Sequence, residues 1–158
     1  MMRLYFLRHG HAEPGLSVSD HARQLTPKGV ARLQTAAKVM KRLKIKPTHL
    51  FSSPRVRAQQ TAEIVAEQLN ISVELREEVN FGFDTNAVHA LIDRLPEGSQ
   101  VMFVGHEPTF SMTVRAITGG QVAMKKGSLA RVDLIDPVRL QGELVWLIAP
   151  KVFDALDD

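Results

Sequence analysis

The sequence predicts an α/β domain in which helices cover a largely parallel sheet. Two observations carry this. Short apolar runs of strand length alternate with longer segments whose apolar residues recur at helical spacing, and no repeat, low-complexity tract or linker interrupts that alternation. At 158 residues the chain fits one domain, 1–158, long enough to bury a substantial core.

The elements follow in order. "RLYFL" (3–7) is a continuous apolar run with turn signals after it, as in a strand buried on both faces, and it delivers Arg8 and His9 at its carboxyl end. Thr26 as N-cap and Pro27 at the first helical position open an amphipathic helix with Val30, Leu33, Ala37 and Met40 inward. "THLFSS" (48–53) reads as a second strand, followed by a helix over 54–69 that opens at Pro54 with Ala58, Thr61, Ala62, Val65 and Leu69 inward. "SVELR" (72–76) predicts a strand, "NAVHALIDRL" (86–95) a helix ended by Pro96, and "QVMFVG" (100–105) a buried strand followed directly by His106. A short helix over 109–118 closes at Gly119 and Gly120, and "SLARVDLI" and "ELVWLIA" predict two further strands. The terminal "DALDD" reads as a frayed acidic tail.

Composition removes several classes of function. With 44% hydrophobic and 23% charged residues the chain lies far from the regime of disorder. No cysteine is present, which excludes disulfide scaffolds, thiolate metal sites and thiol nucleophiles. The net charge of +3 is spread along the chain and aromatics make up only 6%, a poor match to nucleic acid but compatible with an anionic substrate. The apolar stretch before Arg8 is too short for a signal-peptide core or a membrane span, so a cytoplasmic location is expected.

In open α/β sheets ligands gather outside the carboxyl ends of the strands, and three predicted strands deliver cations there. These are Arg8 with His9, Arg55 or Arg57, and His106. Two arginines and two histidines have one coherent joint use, the binding of a phosphoryl group. The guanidinium fork matches phosphate oxygens, and arginines beside an imidazole lower its pKa, leaving a neutral nucleophile. Arg57, in the first turn of its helix, also has backbone N–H groups that favour anions.

"LRHG" after the first strand, "SSPRVRAQQTA" opening a helix and "VGHEP" after a later strand together resemble the histidine phosphatase, or phosphoglycerate mutase-like, superfamily. Within it, "RQLTPKG", "SPRVRAQQT" and "VGHEP" are most similar to the SixA-type phosphohistidine phosphatases. The resemblance implies a three-layer phosphoglycerate mutase-like sandwich and a phosphatase without metal or organic cofactor. It also implies that His9 takes the phosphoryl group, that Arg8 and Arg57 bind it, and that His106 is the second histidine of the pocket. Arg55 ranks below Arg57 because the family pattern is variable there. Larger members place a glutamate between the second arginine and the second histidine, for which Glu77 and Glu78 are the counterparts, Glu78 being the candidate general acid. The segment between Arg57 and His106 is taken up by predicted elements and leaves no room for a lid, which favours a phosphorylated protein as substrate over a small phosphate ester.

Other readings remain open on sequence alone. His11, Glu13, Asp20 and His21 fit an exposed polar loop. His9 and His11, in His-x-His-x-Glu, also fit a metal-dependent hydrolase together with Asp20, His21 and His106, although such a site gains nothing from Arg8 and Arg57 against its ligands. A phosphate-binding module without turnover is the third class. Neither the partner nor the oligomeric state is encoded in these patterns.

Overall fold

The computed structural model describes residues 1–157 and contains one mixed six-stranded sheet flanked by five helices. The strands are β1 (Arg3–Arg8), β2 (His49–Ser52), β3 (Val73–Leu75), β4 (Gln100–Gly105), β5 (Leu129–Asp136) and β6 (Gln141–Ile148). The helices are α1 (Pro27–Arg42), α2 (Val56–Leu69), α3 (Thr85–Ile92), α4 (Thr109–Thr118) and α5 (Pro150–Leu156). The spatial order is β3-β2-β4-β1-β5-β6, with the first four strands parallel and the last two antiparallel.

Alternation along the central strands makes three layers. Leu4 and Phe6 of β1, with Val101 and Phe103 of β4, pack into one core with Val88, Phe110 and Val114 from α3 and α4. Tyr5, Leu7, Met102 and Val104 face the other way, onto Ala37, Met40, Ala58, Val65 and Phe153 of α1, α2 and α5. Two-sided burial explains why these strands read as unbroken apolar runs.

Local signals set most helix ends. Thr26 caps α1 by accepting the Gly29 N–H, with Leu33, Ala37 and Met40 buried and Val30 half-buried. Helix α2 starts at Val56 rather than Pro54, because the Ser53 hydroxyl accepts the Arg55 N–H and holds Arg55 as the capping residue. Asp84 caps α3 through the Ala87 N–H, and that helix ends at Ile92, short of the predicted stop. Gly119, at φ 77°, closes α4 where the sequence places it.

The predicted acidic tail requires correction. Its residues within the described chain belong largely to α5, which opens at Pro150, buries Phe153 completely and pairs Asp154 with Arg32 at 2.8 Å. Burying a phenylalanine contributes about 1.5–3 kcal/mol toward docking this helix against α1. Asp158 lies outside the described residues. Among the described residues no helix is long and apolar enough to cross a membrane.

Candidate active site

Strand register builds the site. Arg8 of β1 lies level with Gly105 of β4, and Ser52 of β2 level with Val104. The next residues out are therefore His9, His106 and Ser53, side by side at the carboxyl ends of three parallel strands. Two backbone bonds extend the ladder, His9 N–H to Gly105 O at 3.0 Å and Ser53 N–H to Val104 O at 2.9 Å. Gly127 N–H, donating to the carbonyls of both Arg8 and His9, fastens the loop before β5 to the same strand end.

At the turn after His9 a Cβ on Gly10 would lie 2.6 Å from Leu33 Cδ1, so a side chain there would have to displace Leu33. Gly10 N–H donates to Thr61 Oγ1 at 3.1 Å, and Thr61 donates to the Arg57 carbonyl at 2.8 Å, which ties the turn to the start of α2. Arg57 is thereby placed against His9.

His9 is 5% exposed and its Nδ1 lies 2.8 Å from the Gly10 carbonyl. A carbonyl only accepts, so Nδ1 carries the proton and Nε2 keeps its lone pair. Arg57 Nε donates to that Nε2 at 3.4 Å. The His9 pKa falls to about 3, chiefly through burial; the Gly10 bond opposes the shift, and Arg57, Arg8 and Lys126 add to it. The sequence assigned this lowering to the arginines. Its direction holds, but desolvation is the larger cause.

His106 is 2% exposed, and its ring centroid lies 5.3 Å from that of His9. Its Nε2 meets Ser53 Oγ at 2.8 Å. Ser53 Oγ also accepts the Arg55 N–H at 3.2 Å, and its hydroxyl can donate to His106 Nε2, an arrangement that leaves the ring proton on Nδ1. That Nδ1 is buried without a hydrogen-bond partner, as is Arg8 Nε, while Arg8 Nη1 donates to Met124 O at 2.8 Å. The His106 pKa is also pushed down to about 3, by burial first and then by His9, Arg57 and Arg55, with Asp20 opposing.

The mouth differs from the sequence reading. Asp20, read as part of an exposed polar loop, is exposed but also gathers three arginines. Its Oδ2 accepts from Arg55 Nη1 and, at 3.2 Å, from Arg57 Nη2, and its Oδ1 pairs with Arg23 at 3.0 Å. Its carbonyl also accepts from Arg57 Nη1 at 2.9 Å. Burial alone would raise the Asp20 pKa, but Arg23, Arg57 and Arg55 hold it below the usual carboxylate value. Arg55, ranked second from the sequence, joins this group, donates to Asn80 Oδ1 at 2.7 Å and lies 3.8 Å from the Phe81 ring centroid. Phe81 in turn packs edge-on to His106 at 4.8 Å. Sequence reasoning passed over Ser53, Thr61 and Phe81; only Ser53, at a strand end beside "PR", carried a readable signal.

Glu78 forms an ion pair with Arg76 at 2.6 Å, which is the main reason its pKa lies below the ordinary value. Glu77 accepts from Asn80 Nδ2 at 3.0 Å. The His-x-His pair is not gathered: His11 is exposed and bonded to Thr26 Oγ1 at 2.8 Å, and among the described residues no group of three or more His, Asp or Glu side chains could hold a metal ion.

Two neutral histidines side by side at the strand ends, with arginines against them, define the class, and the comparisons agree. The sequence model of the histidine phosphatase superfamily (branch 1) matches residues 4–82. The phosphohistidine phosphatase SixA of Escherichia coli K12 is 31% identical over 155 residues, covering 94% of each chain. A solved structure of the protein histidine phosphatase SixA complexed with tungstate superposes with a TM-score of 0.84 at 29% identity, covering 95% of this chain and 98% of that one. A mycobacterial glucosyl-3-phosphoglycerate phosphatase shares the fold at a TM-score of 0.74 and 16% identity, covering 90% of this chain and 96% of its own. The chain belongs to the histidine phosphatase superfamily, and its three-layer architecture is phosphoglycerate mutase-like.

Proposed function

We propose that this chain is a metal-independent phosphatase of the SixA type, acting in the cytoplasm on phosphohistidine carried by a signalling or phosphotransfer protein. The observation that carries the reading is the state of His9: Nδ1–H locked on the Gly10 carbonyl, Nε2 unprotonated, and Arg57 beside it. SixA, similar over almost the whole chain, is named for this activity, and its structure complexed with tungstate, a phosphate-like oxyanion, supports an anion-binding site in this fold.

In the proposed reaction His9 Nε2 attacks phosphorus in line. The Nε2–P bond forms as the substrate's P–N bond breaks, and the leaving imidazole takes up a proton from solvent water. Water then attacks the phosphohistidine intermediate, releasing inorganic phosphate and returning His9 to its neutral tautomer. Arg8 and Arg57 hold the equatorial oxygens, whose charge stabilisation supplies most of the catalysis in such transfers, and His106 Nδ1–H donates to one of them. The Arg76 pair weighs against Glu78 as proton donor, since it favours the ionised form. An imidazole leaving group lessens the need for such an acid.

Phosphate release from a phosphohistidine-bearing protein and from p-nitrophenyl phosphate, measured in chelator with His9→Ala in parallel, tests the reading. Chelator-resistant release favouring the phosphoprotein and lost in the variant is expected. Release that requires metal, or that survives His9→Ala, would overturn it. Turnover of p-nitrophenyl phosphate alone would move the substrate to a small phosphomonoester.

A further inference from the structure

A hollow of about 430 Å³ adjoins the phosphoryl site and shares Arg8 and Gly10 with it. Leu33, Ala36 and Phe153 supply apolar lining, and four lysines contribute the charge: Lys28 from α1, Lys125 and Lys126 from the loop before β5, and Lys151 from α5. All four are exposed. No aspartate or glutamate lines the hollow, and of its two arginines, Arg8 and Arg32, the latter is paired with Asp154. The first turn of α1, which opens here, also carries no acidic residue. The wall of the mouth around Asp20 is different, because there a carboxylate offsets part of the charge of Arg23, Arg55 and Arg57. The site therefore has one cationic wall whose charge is partly offset by a carboxylate and one cationic wall whose lining holds none.

Such a concentration of one sign in a concave surface focuses its field outward. Its donors are exposed, flexible ammonium groups. A small-molecule site orients its ligand with a few fixed polar groups, whereas mobile point charges at a rim suit the acidic side chains of a docking protein.

We propose that this hollow receives acidic side chains flanking the phosphorylated residue of the protein substrate, so that selection rests on charge beside the phosphoryl group as well as on the group itself. The inference rests on the phosphoprotein reading above. The loop carrying Lys125 and Lys126 is fastened by Gly127 to the carbonyls of Arg8 and His9, so an acid seated there is held in register with the reacting phosphorus.

The test uses two phosphohistidine peptides identical except for Asp/Glu or Asn/Gln at the flanking positions, with wild type and Lys28→Glu/Lys151→Glu, at low and high salt. The acidic peptide should have a kcat/KM about tenfold higher in low salt, an advantage that salt reduces and the double variant abolishes, with p-nitrophenyl phosphate turnover unchanged. Equal kcat/KM for the two peptides, or a preference intact in the variant, would overturn the proposal. Competition by inorganic tripolyphosphate that depends on Lys28 and Lys151, without any peptide preference, would assign the hollow to a small polyanion and also overturn it. If neither phosphohistidine peptide turns over while p-nitrophenyl phosphate does, the phosphohistidine reading fails by itself, and the same flanks around phosphoserine decide the charge preference.

Discussion

The floor of the site and its mouth are held in different ways. On the floor His9, His106 and Arg57 are 5%, 2% and 4% exposed, and the fixing partners of the two rings are the Gly10 carbonyl and the Ser53 hydroxyl at the ends of β1 and β2. At the mouth Asp20, Arg23 and Arg55 are held largely by one another, with the Asp20 side chain 46% exposed. A floor set by backbone geometry is organised before any ligand arrives. A mouth made of partly solvated ion pairs is exchangeable, and its carboxylate occupies arginine donors that a phosphoryl group would use.

This contrast orders the expected effects of mutation. Arg57→Ala should lower kcat/KM about 10²- to 10³-fold, the usual loss on removing a donor aimed at developing charge. Arg57→Lys should recover little, because an ammonium lacks the fork. Steady-state kinetics on one phosphorylated substrate reads both. Ser53→Ala frees the His106 ring and should cost about tenfold in kcat through misplacement, with a smaller change in KM. If Ser53→Ala matched Arg57→Ala in severity, the serine would touch the reacting group itself and the division of the floor would need redrawing.

The histidines also predict how stability depends on pH. Both have folded pKa values of about 3 against an ordinary 6.5, so between these limits the unfolded chain binds more protons than the folded one. Their contribution to stability is complete above about pH 6.5 and is lost as pH falls through that window. Denaturant midpoints between pH 7 and pH 4 should fall for the wild type and fall less for His106→Asn. Ring nitrogen shifts should keep both imidazoles neutral at pH 5.

The smallest effect belongs to the mouth. Asp20→Asn removes a partly exposed ion-pair partner, so stability should change by no more than about 1 kcal/mol. Inorganic phosphate should bind up to about fivefold more tightly once no carboxylate has to be displaced. Weaker phosphate binding in Asp20→Asn would show instead that the carboxylate orients the arginines for the ligand.

The same contrast explains what the sequence made legible. Strand ends are local signals: an apolar run stops, and the next residue is His9 or His106. Helix starts at Thr26 and Gly119 as a stop are local too. Asp20 was not readable, since it lies in a connecting segment with no periodicity and meets Arg55 and Arg57 from 35 and 37 positions away, beyond α1 and β2. Ser53 carried a signal as a strand-end residue, but its pairing with His106 needed the register of β2 against β4. Helix α5 was masked by its acidic residues, although Pro150 and Phe153 marked it. Glu78 was singled out by its place along the chain, whereas Arg76, two residues earlier, takes its charge.

The central claim is that His9 Nε2 becomes phosphorylated. Rapid quenching of the protein with a phosphohistidine-bearing substrate, followed by peptide mapping under alkaline conditions, tests it most directly. The account predicts an acid-labile phosphate on His9, on the ring nitrogen remote from the backbone, since Nδ1 is committed to the Gly10 carbonyl. Phosphate found on another residue, or full turnover by an enzyme whose His9 is never phosphorylated, would contradict it.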